Sequence, residues 1–208
     1  MLVYLIPVQK QMKAMFSSSS LTEYLVLALP YAEIGEEVRG FKKDFFRQCG
    51  AYSGQNSCGH IRLISFFQMD DREERILASL GDMLKEMSGF EVFLNGFNLD
   101  NEARELYIDV LNKESLSDVY HMLRMKLFEE FVSLSFLNPR YEPHMSIGKG
   151  LSPVQYIRAA ELYKEKAYTN NFRVNRLHVL KRQAPFRVWD KLTELPFAKS
   201  EGELLGLY

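Results

Sequence analysis

His60 and Arg62 stand at the head of the apolar run Cys58-Gly-His60-Ile-Arg62-Leu-Ile-Ser-Phe-Phe67, and His144 and Ser146 open a second, Glu142-Pro-His144-Met-Ser146-Ile-Gly-Lys149. In a strand, residues two apart share a face, so each segment presents a histidine and a second polar group to one side. Cleavage of a phosphodiester or cyclic phosphate needs a base for the nucleophile, an acid for the leaving oxygen and donors for the non-bridging oxygens. Histidine titrates near neutrality, so two imidazoles on facing strands can divide the two proton transfers. Ser146 can donate to a phosphate oxygen, and Arg62 can grip one with a bidentate fork. The near-symmetry of the pair leaves the acid and base roles open. The Arg62 charge would lower the pKa of His60 and favour it as base.

Each of these residues also has a purely structural reading. A single strand histidine is more often a satisfied packing residue than a catalyst, and Ser146 could simply bond the backbone. Arg62 could pair with a carboxylate such as Glu142. Lys149 is either a phosphate contact or a solvated strand end. Tyr141 and Phe67, with Phe97 and Trp189, could stack on a base, although core packing is the default for aromatic side chains. His121 lies off the apolar face of its helix, and His178 alternates with Leu177 and Val179 as a structural residue. Arg173, Arg176, Lys181, Arg182 and Arg187 make the C-terminal hairpin basic, which suits a nucleic-acid backbone or a sheet edge guarded against aggregation.

The elements that must position these groups repeat. Glu23–Leu29, closed by Pro30, reads as a buried strand. Ile34, Val38, Phe41 and Phe45 fall at helical spacing, with Gly50 as the stop. The first histidine strand (59–67) is followed by a helix capped by Asp70 or Asp71, then strands at 90–97 and 105–111. The order restarts with a helix capped by Ser115 or Ser117, whose apolar stripe runs from Leu116 to Phe131. It continues through a histidine strand (143–149), a helix opened by Ser152-Pro153, and strands at 172–180 and 186–192. The two histidines lie 84 residues apart. The pattern predicts an α+β fold duplicated about a pseudo-twofold, with lobes at about 34–112 and 116–192 and helix, histidine strand, helix, strand, strand in each half. Antiparallel sheets would line a central cleft, with helices outside.

The chain has 208 residues, of which 47% are hydrophobic, and a formal net charge of −1. That length suits one bilobal domain over 21–208, preceded by a leader over 1–20 that includes a run of four serines. The charge makes the molecule as a whole no electrostatic trap for nucleic acid. Cys49 and Cys58 imply no disulfide framework and fit free thiols in a reducing cytoplasm. No apolar run reaches membrane-spanning length. With four histidines and no H-E-x-x-H or Cys/His ligand spacing, neither a metal nor another cofactor is expected.

From about residue 22 to 197 the chain resembles the two-histidine (2H) phosphoesterase superfamily, which includes 2′-5′ RNA ligase-like proteins and cyclic nucleotide phosphodiesterases. The family's mark is a pair of His-x-Thr/Ser motifs, each followed by an apolar residue. His144-Met-Ser146-Ile147 matches it, with Pro143 before it; His60-Ile-Arg62-Leu63 departs only at Arg62. The resemblance implies a metal-independent phosphoesterase, expected here to be monomeric, whose partner is a nucleotide or RNA end bearing a cyclic or diester phosphate. His60 and His144 would be catalytic, with Ser146, Arg62 and Lys149 on the phosphate and Tyr141 and Phe67 beside the base. Because Arg62 replaces a hydroxyl, a binding protein for a phosphorylated nucleotide or RNA end is the alternative. An interaction domain with a vestigial cleft is the third.

Overall fold

The computed structural model describes residues 20–130, 141–183 and 188–198. The expected leader up to residue 19, with Phe131, Phe186 and Arg187, lies outside the described residues. Strand β1 (Leu21–Ala28) is buried along most of its length because strands flank it on both sides. Helix α1 (Ala32–Cys49) turns Ile34, Val38, Lys42 and Phe45 inward and stops at Gly50. Strand β2 (Ile61–Met69) leads through a single 3-10 turn (Asp70–Arg72) into α2 (Glu73–Lys85). Neither Asp70 nor Asp71 caps α2. Asp70 instead accepts from the Ser20 backbone N–H at 2.9 Å and its hydroxyl at 2.7 Å, tying the start of β1 to the end of β2.

The second round comprises β3 (Phe90–Asp100), β4 (Glu105–Val110), α3 (Lys113–Glu130), β5 (His144–Gly148) and α4 (Pro153–Tyr163). Ser115 and Ser117 lie inside α3 rather than at its start, and the Ser117 hydroxyl donates to the Lys113 carbonyl at 2.8 Å. Helix α4 opens with Ser152 and Gln155 in a reciprocal capping box. The strand expected at 172–180 is two strands, β6 (Thr169–Val174) and β7 (Arg176–Gln183), and the last strand, β8, runs Asp190–Pro196. Buried positions step from Phe172 and Val174 to Leu177 and Val179, so the alternation slips by one residue at the break.

All eight strands form one antiparallel sheet in the order β6-β3-β4-β5-β2-β1-β7-β8. This α+β architecture keeps β2 and β5, the histidine strands, at its centre. The order does not follow the chain segments 34–112 and 116–192: β3 and β4 sit on the β5 side, whereas β7 and β8 sit on the β2 side. Hydrophobic periodicity records which face a strand buries and not which partner it chooses, so this exchange is invisible in the pattern. Helices α1 and α4 pack together, α1 against β5 and α4 against β3 and β4. Helices α2 and α3 form the other pair, against β8 and β2 respectively. Among the described residues, no helix is long and apolar enough to cross a membrane.

The first motif begins where backbone and helix approach closely. A Cβ on Gly59 would lie 2.9 Å from Val38 Cβ and 3.2 Å from Met145 Sδ, so only glycine lets the chain pass beneath α1 just before His60. Gly40, inside α1, has nothing within 4 Å of its notional Cβ. Gly59→Ala is therefore expected to destabilise the fold by about 1–3 kcal/mol. Gly40→Ala should stabilise it by up to about 1 kcal/mol through helix propensity. Urea unfolding midpoints of the two variants should move in opposite directions.

Candidate active site

Ile61 and Met145 pair across β2 and β5, and both are fully buried. Their neighbours must therefore face the other side of the sheet. The antiparallel register sets His60 opposite Ser146 and Arg62 opposite His144, forming a four-residue square. The two histidines occupy one diagonal, about 7–8 Å apart by ordinary strand spacing. All four line a single cleft of about 680 Å³. Lys149, Tyr141 and Phe67 line it too.

A bulge extends the polar face of β2. The β1 partner of Arg62 is Leu27 and that of Ile64 is Val26, so Leu63 is the extra residue. Beyond it Ser65 and Phe67, rather than Ile64 and Phe66, carry on the face of Arg62. The Arg62 guanidinium donates to the Ser65 hydroxyl. Glu142 pairs instead with Lys113, at 3.4 Å. Tyr141 is a strut as well as a wall: one ring face stacks on Tyr120 at 4.3 Å, and its hydroxyl donates to the Arg62 carbonyl at 3.1 Å.

The two imidazoles share one anchor and differ in everything else. His60 Nδ1 lies 2.9 Å from the Cys58 carbonyl and His144 Nδ1 lies 2.8 Å from the Glu142 carbonyl. Each Nδ1 therefore carries a proton, and each Nε2 is the working nitrogen. Burial pushes the His60 pKa below its ordinary value, opposed by the Cys58 carbonyl and reinforced by the charges of Lys42 and Arg62. His144 Nε2 instead meets the Glu105 carboxylate at 3.1 Å. With both nitrogens against acceptors, only the imidazolium satisfies both contacts.

Glu105 and Lys42 had no place in the sequence-based expectation. Glu105, at the start of β4, is 2% exposed. It gathers His144, the Ser146 hydroxyl and Lys149, whose ammonium lies 3.3 Å away. Burial alone would raise its pKa; these donors and charges outweigh burial and hold the carboxyl down to about 2. Lys42 is 1% exposed and donates to the Gly54 carbonyl at 3.2 Å and the Ser57 hydroxyl at 2.7 Å. Burial lowers its pKa to about 8, against the opposing influence of Cys58 and Glu105. In the sequence Lys42 continues the inward stripe of Ile34 and Val38 at i+4, and that spacing was the available signal.

Other candidates lie elsewhere. Trp189 stacks with the Arg182 guanidinium at 4.3 Å, and Phe97 packs edge-on against Phe41 at 5.0 Å. His178 faces Glu194 at 3.6 Å, and His121 is exposed beside Tyr120. The basic residues expected in one C-terminal hairpin are split by the topology: Arg173 lies on the edge strand β6 and pairs with Glu91, whereas Arg176, Lys181 and Arg182 lie on β7, between β1 and β8, and pair with Glu194, Glu73 and Glu23. Cys49 and Cys58 are free thiols.

The depressed Lys42 pKa carries a stability consequence. The folded state binds this proton more weakly than the unfolded chain does, so the cost is fully present below about pH 8 and vanishes as pH rises through the unfolded value near 10.5. Lys42→Met should be the more stable protein at pH 7, by roughly 1–3 kcal/mol. Its advantage should shrink steadily between pH 8 and 10.5, as measured by urea unfolding across that range.

The architecture has solved counterparts. Escherichia coli LigT complexed with 3′-AMP superposes with a TM-score of 0.67 and 14% identity, over 86% of this chain and 100% of that one. LigT complexed with phosphate gives 0.62 and 15%, over 87% and 100%. The protein TT0787 of Thermus thermophilus gives 0.62 and 14%, over 86% and 100%. Identities this low show a shared fold. No curated protein sequence matches the chain. The family model of the 2′-5′ RNA ligase superfamily matches residues 30–185, three-quarters of the length, and the chain belongs to that superfamily.

Proposed function

We propose that this protein is a metal-independent phosphoesterase acting on 2′,3′-cyclic phosphates, 2′-5′ linkages or related nucleotide and RNA ends. The observation that carries this reading is one cleft lined by two imidazoles on paired strands, His144 against the Glu105 carboxylate and His60 favoured in its neutral form by burial. The ligands of E. coli LigT, 3′-AMP, ATP and phosphate among them, support a nucleotide in the corresponding place here. A reducing cytoplasm belongs to the same reading.

On a 2′,3′-cyclic phosphate, His60 is neutral with Nδ1–H on the Cys58 carbonyl, and its Nε2 takes a proton from water as the water oxygen bonds to phosphorus. The bond from phosphorus to one ribose oxygen breaks, and that oxygen receives the Nε2 proton of His144. Before substrate arrives the Glu105 carboxylate holds that proton; the leaving oxygen takes its place as acceptor. Arg62 donates to the non-bridging oxygens, supplying a full positive charge where the family uses a hydroxyl, and Ser146 joins it by turning its one O–H from Glu105 to the phosphate. Lys149 neutralises Glu105 so that the buried carboxylate does not repel the phosphate.

A binding protein without turnover is the second reading, favoured by Arg62 in the hydroxyl position and by Glu105 on the nitrogen that must deliver a proton. A panel of cyclic and 2′-5′ nucleotides separates the two. Under the enzymatic reading, His60→Ala and His144→Ala each lower kcat by about 10²–10⁴. Nucleotide binding by the wild type with no turnover would establish the second reading. The acid limb of kcat/KM should fall below pH ~6.5, because His60 is held in its basic form to lower pH than an ordinary histidine. Arg62→Thr removes one of the charges responsible and should move that limb upward.

A further inference from the structure

Lys42 is a buried ammonium that, among the described residues, has no carboxylate partner. Two of its three N–H groups are spent on the Gly54 carbonyl and the Ser57 hydroxyl. Among the described residues nothing accepts the third. Lys42 lines the two-histidine cleft together with Ser53, Gly54 and Ser57. These residues form a wall of hydroxyls and one cation, built by α1 and the loop that runs into His60.

The β2–β5 register gives the cleft two different ends. From the square of His60, Arg62, His144 and Ser146, β2 runs on to Phe67, and Tyr141 lies on that same side. In the opposite direction lie the 53–57 loop and Lys42 on one side, and Lys149 with Glu105 on the other. Lys149 and Glu105 form an ion pair, whereas Lys42 feels Glu105 from beyond ion-pair distance and, among the described residues, pairs with no carboxylate. Its charge lowers the His60 pKa, and the two residues line the same cleft. The fold keeps this cation buried, and charged, at a cost in stability, as expected where a ligand supplies the missing anion.

We propose that Lys42, held in place by Ser57, whose own O–H is on the Gly54 carbonyl, and with Ser53 beside it, forms a second anion subsite beside the imidazole pair, so that the cleft prefers nucleotides carrying two separated phosphate groups. One phosphate lies between the histidines and the other on the Lys42 ammonium, with the base toward Tyr141 and Phe67. The inference rests on the phosphoesterase reading for its first phosphate and adds the second. It makes Lys42 a specificity-determining residue, and the 53–57 loop part of the substrate site rather than a connector.

Calorimetric titration with adenosine 3′-monophosphate and adenosine 3′,5′-bisphosphate, at pH 7 and constant ionic strength, tests it. The wild type should bind the bisphosphate at least about tenfold more tightly, as one charge-assisted contact supplies. In Lys42→Met that preference should fall to about twofold or less, the residue of plain charge attraction. Ser57→Ala, a milder change at the same wall, should reduce it severalfold. Equal binding of the two nucleotides by the wild type would overturn the proposal, as would a preference that persists in Lys42→Met. Failure of the wild type to bind either nucleotide would overturn the phosphoesterase reading and this subsite together, and is thereby distinct from loss of the preference alone.

Discussion

The site depends on one antiparallel contact at the centre of the sheet, where Ile61 meets Met145. Both side chains are fully buried, and that burial fixes the face on which their neighbours emerge. A slip of one residue in either strand would send a histidine into the core and an apolar side chain into the cleft. The position is over-determined. Met145 is pinned between the α1 contact through Gly59 and Val38 and its pairing to β4, where it lies opposite Ile108. Hydrophobic burial in the middle of the molecule thus sets the diagonal of the two imidazoles, and chemistry is laid over packing.

Charge in the cleft is arranged with the same economy. Three cations, Lys42, Arg62 and Lys149, share it with the buried Glu105 carboxylate. Glu105 accepts from His144 and Lys149 and so disposes of its own charge locally. His60 pairs with no carboxylate among the described residues, and burial and two nearby cations favour its neutral form against the pull of the Cys58 carbonyl. Two histidines in nearly symmetric backbone settings thereby meet different surroundings: a buried carboxylate at His144, and burial with two cations at His60.

Much of this was legible in the chain itself. His60 with Arg62 and His144 with Ser146 share faces because strand periodicity requires it, and Ser152-Pro153 announced the N-cap of α4. The α+β character followed from the same patterns, whereas the joining of all strands into one sheet with the histidine strands at its centre did not. What escaped has identifiable physical causes. Glu105 opens a strand whose alternation reads as a polar residue at a turn, and only its partners across β5 keep a carboxylate ionised at 2% exposure. Lys42 sits beside Lys43 and reads as solvated helix surface unless its spacing from Val38 is weighed more heavily than its charge. The Leu63 bulge, which brings Ser65 into reach of Arg62, leaves no compositional mark. The exchange of β3 and β4 against β7 and β8 is a choice of partner that periodicity does not encode.

The central claim is that His60 and His144 hold one and the same phosphate. Nitrogen-15 spectra of the imidazole rings, recorded while adenosine 3′-monophosphate is titrated into the protein, address it directly. The account predicts that the Nε2 resonances of both rings move together and saturate at one common nucleotide concentration, while the histidines at 121 and 178 stay still. Movement of one of the two cleft rings without the other, or two separate midpoints, would contradict it.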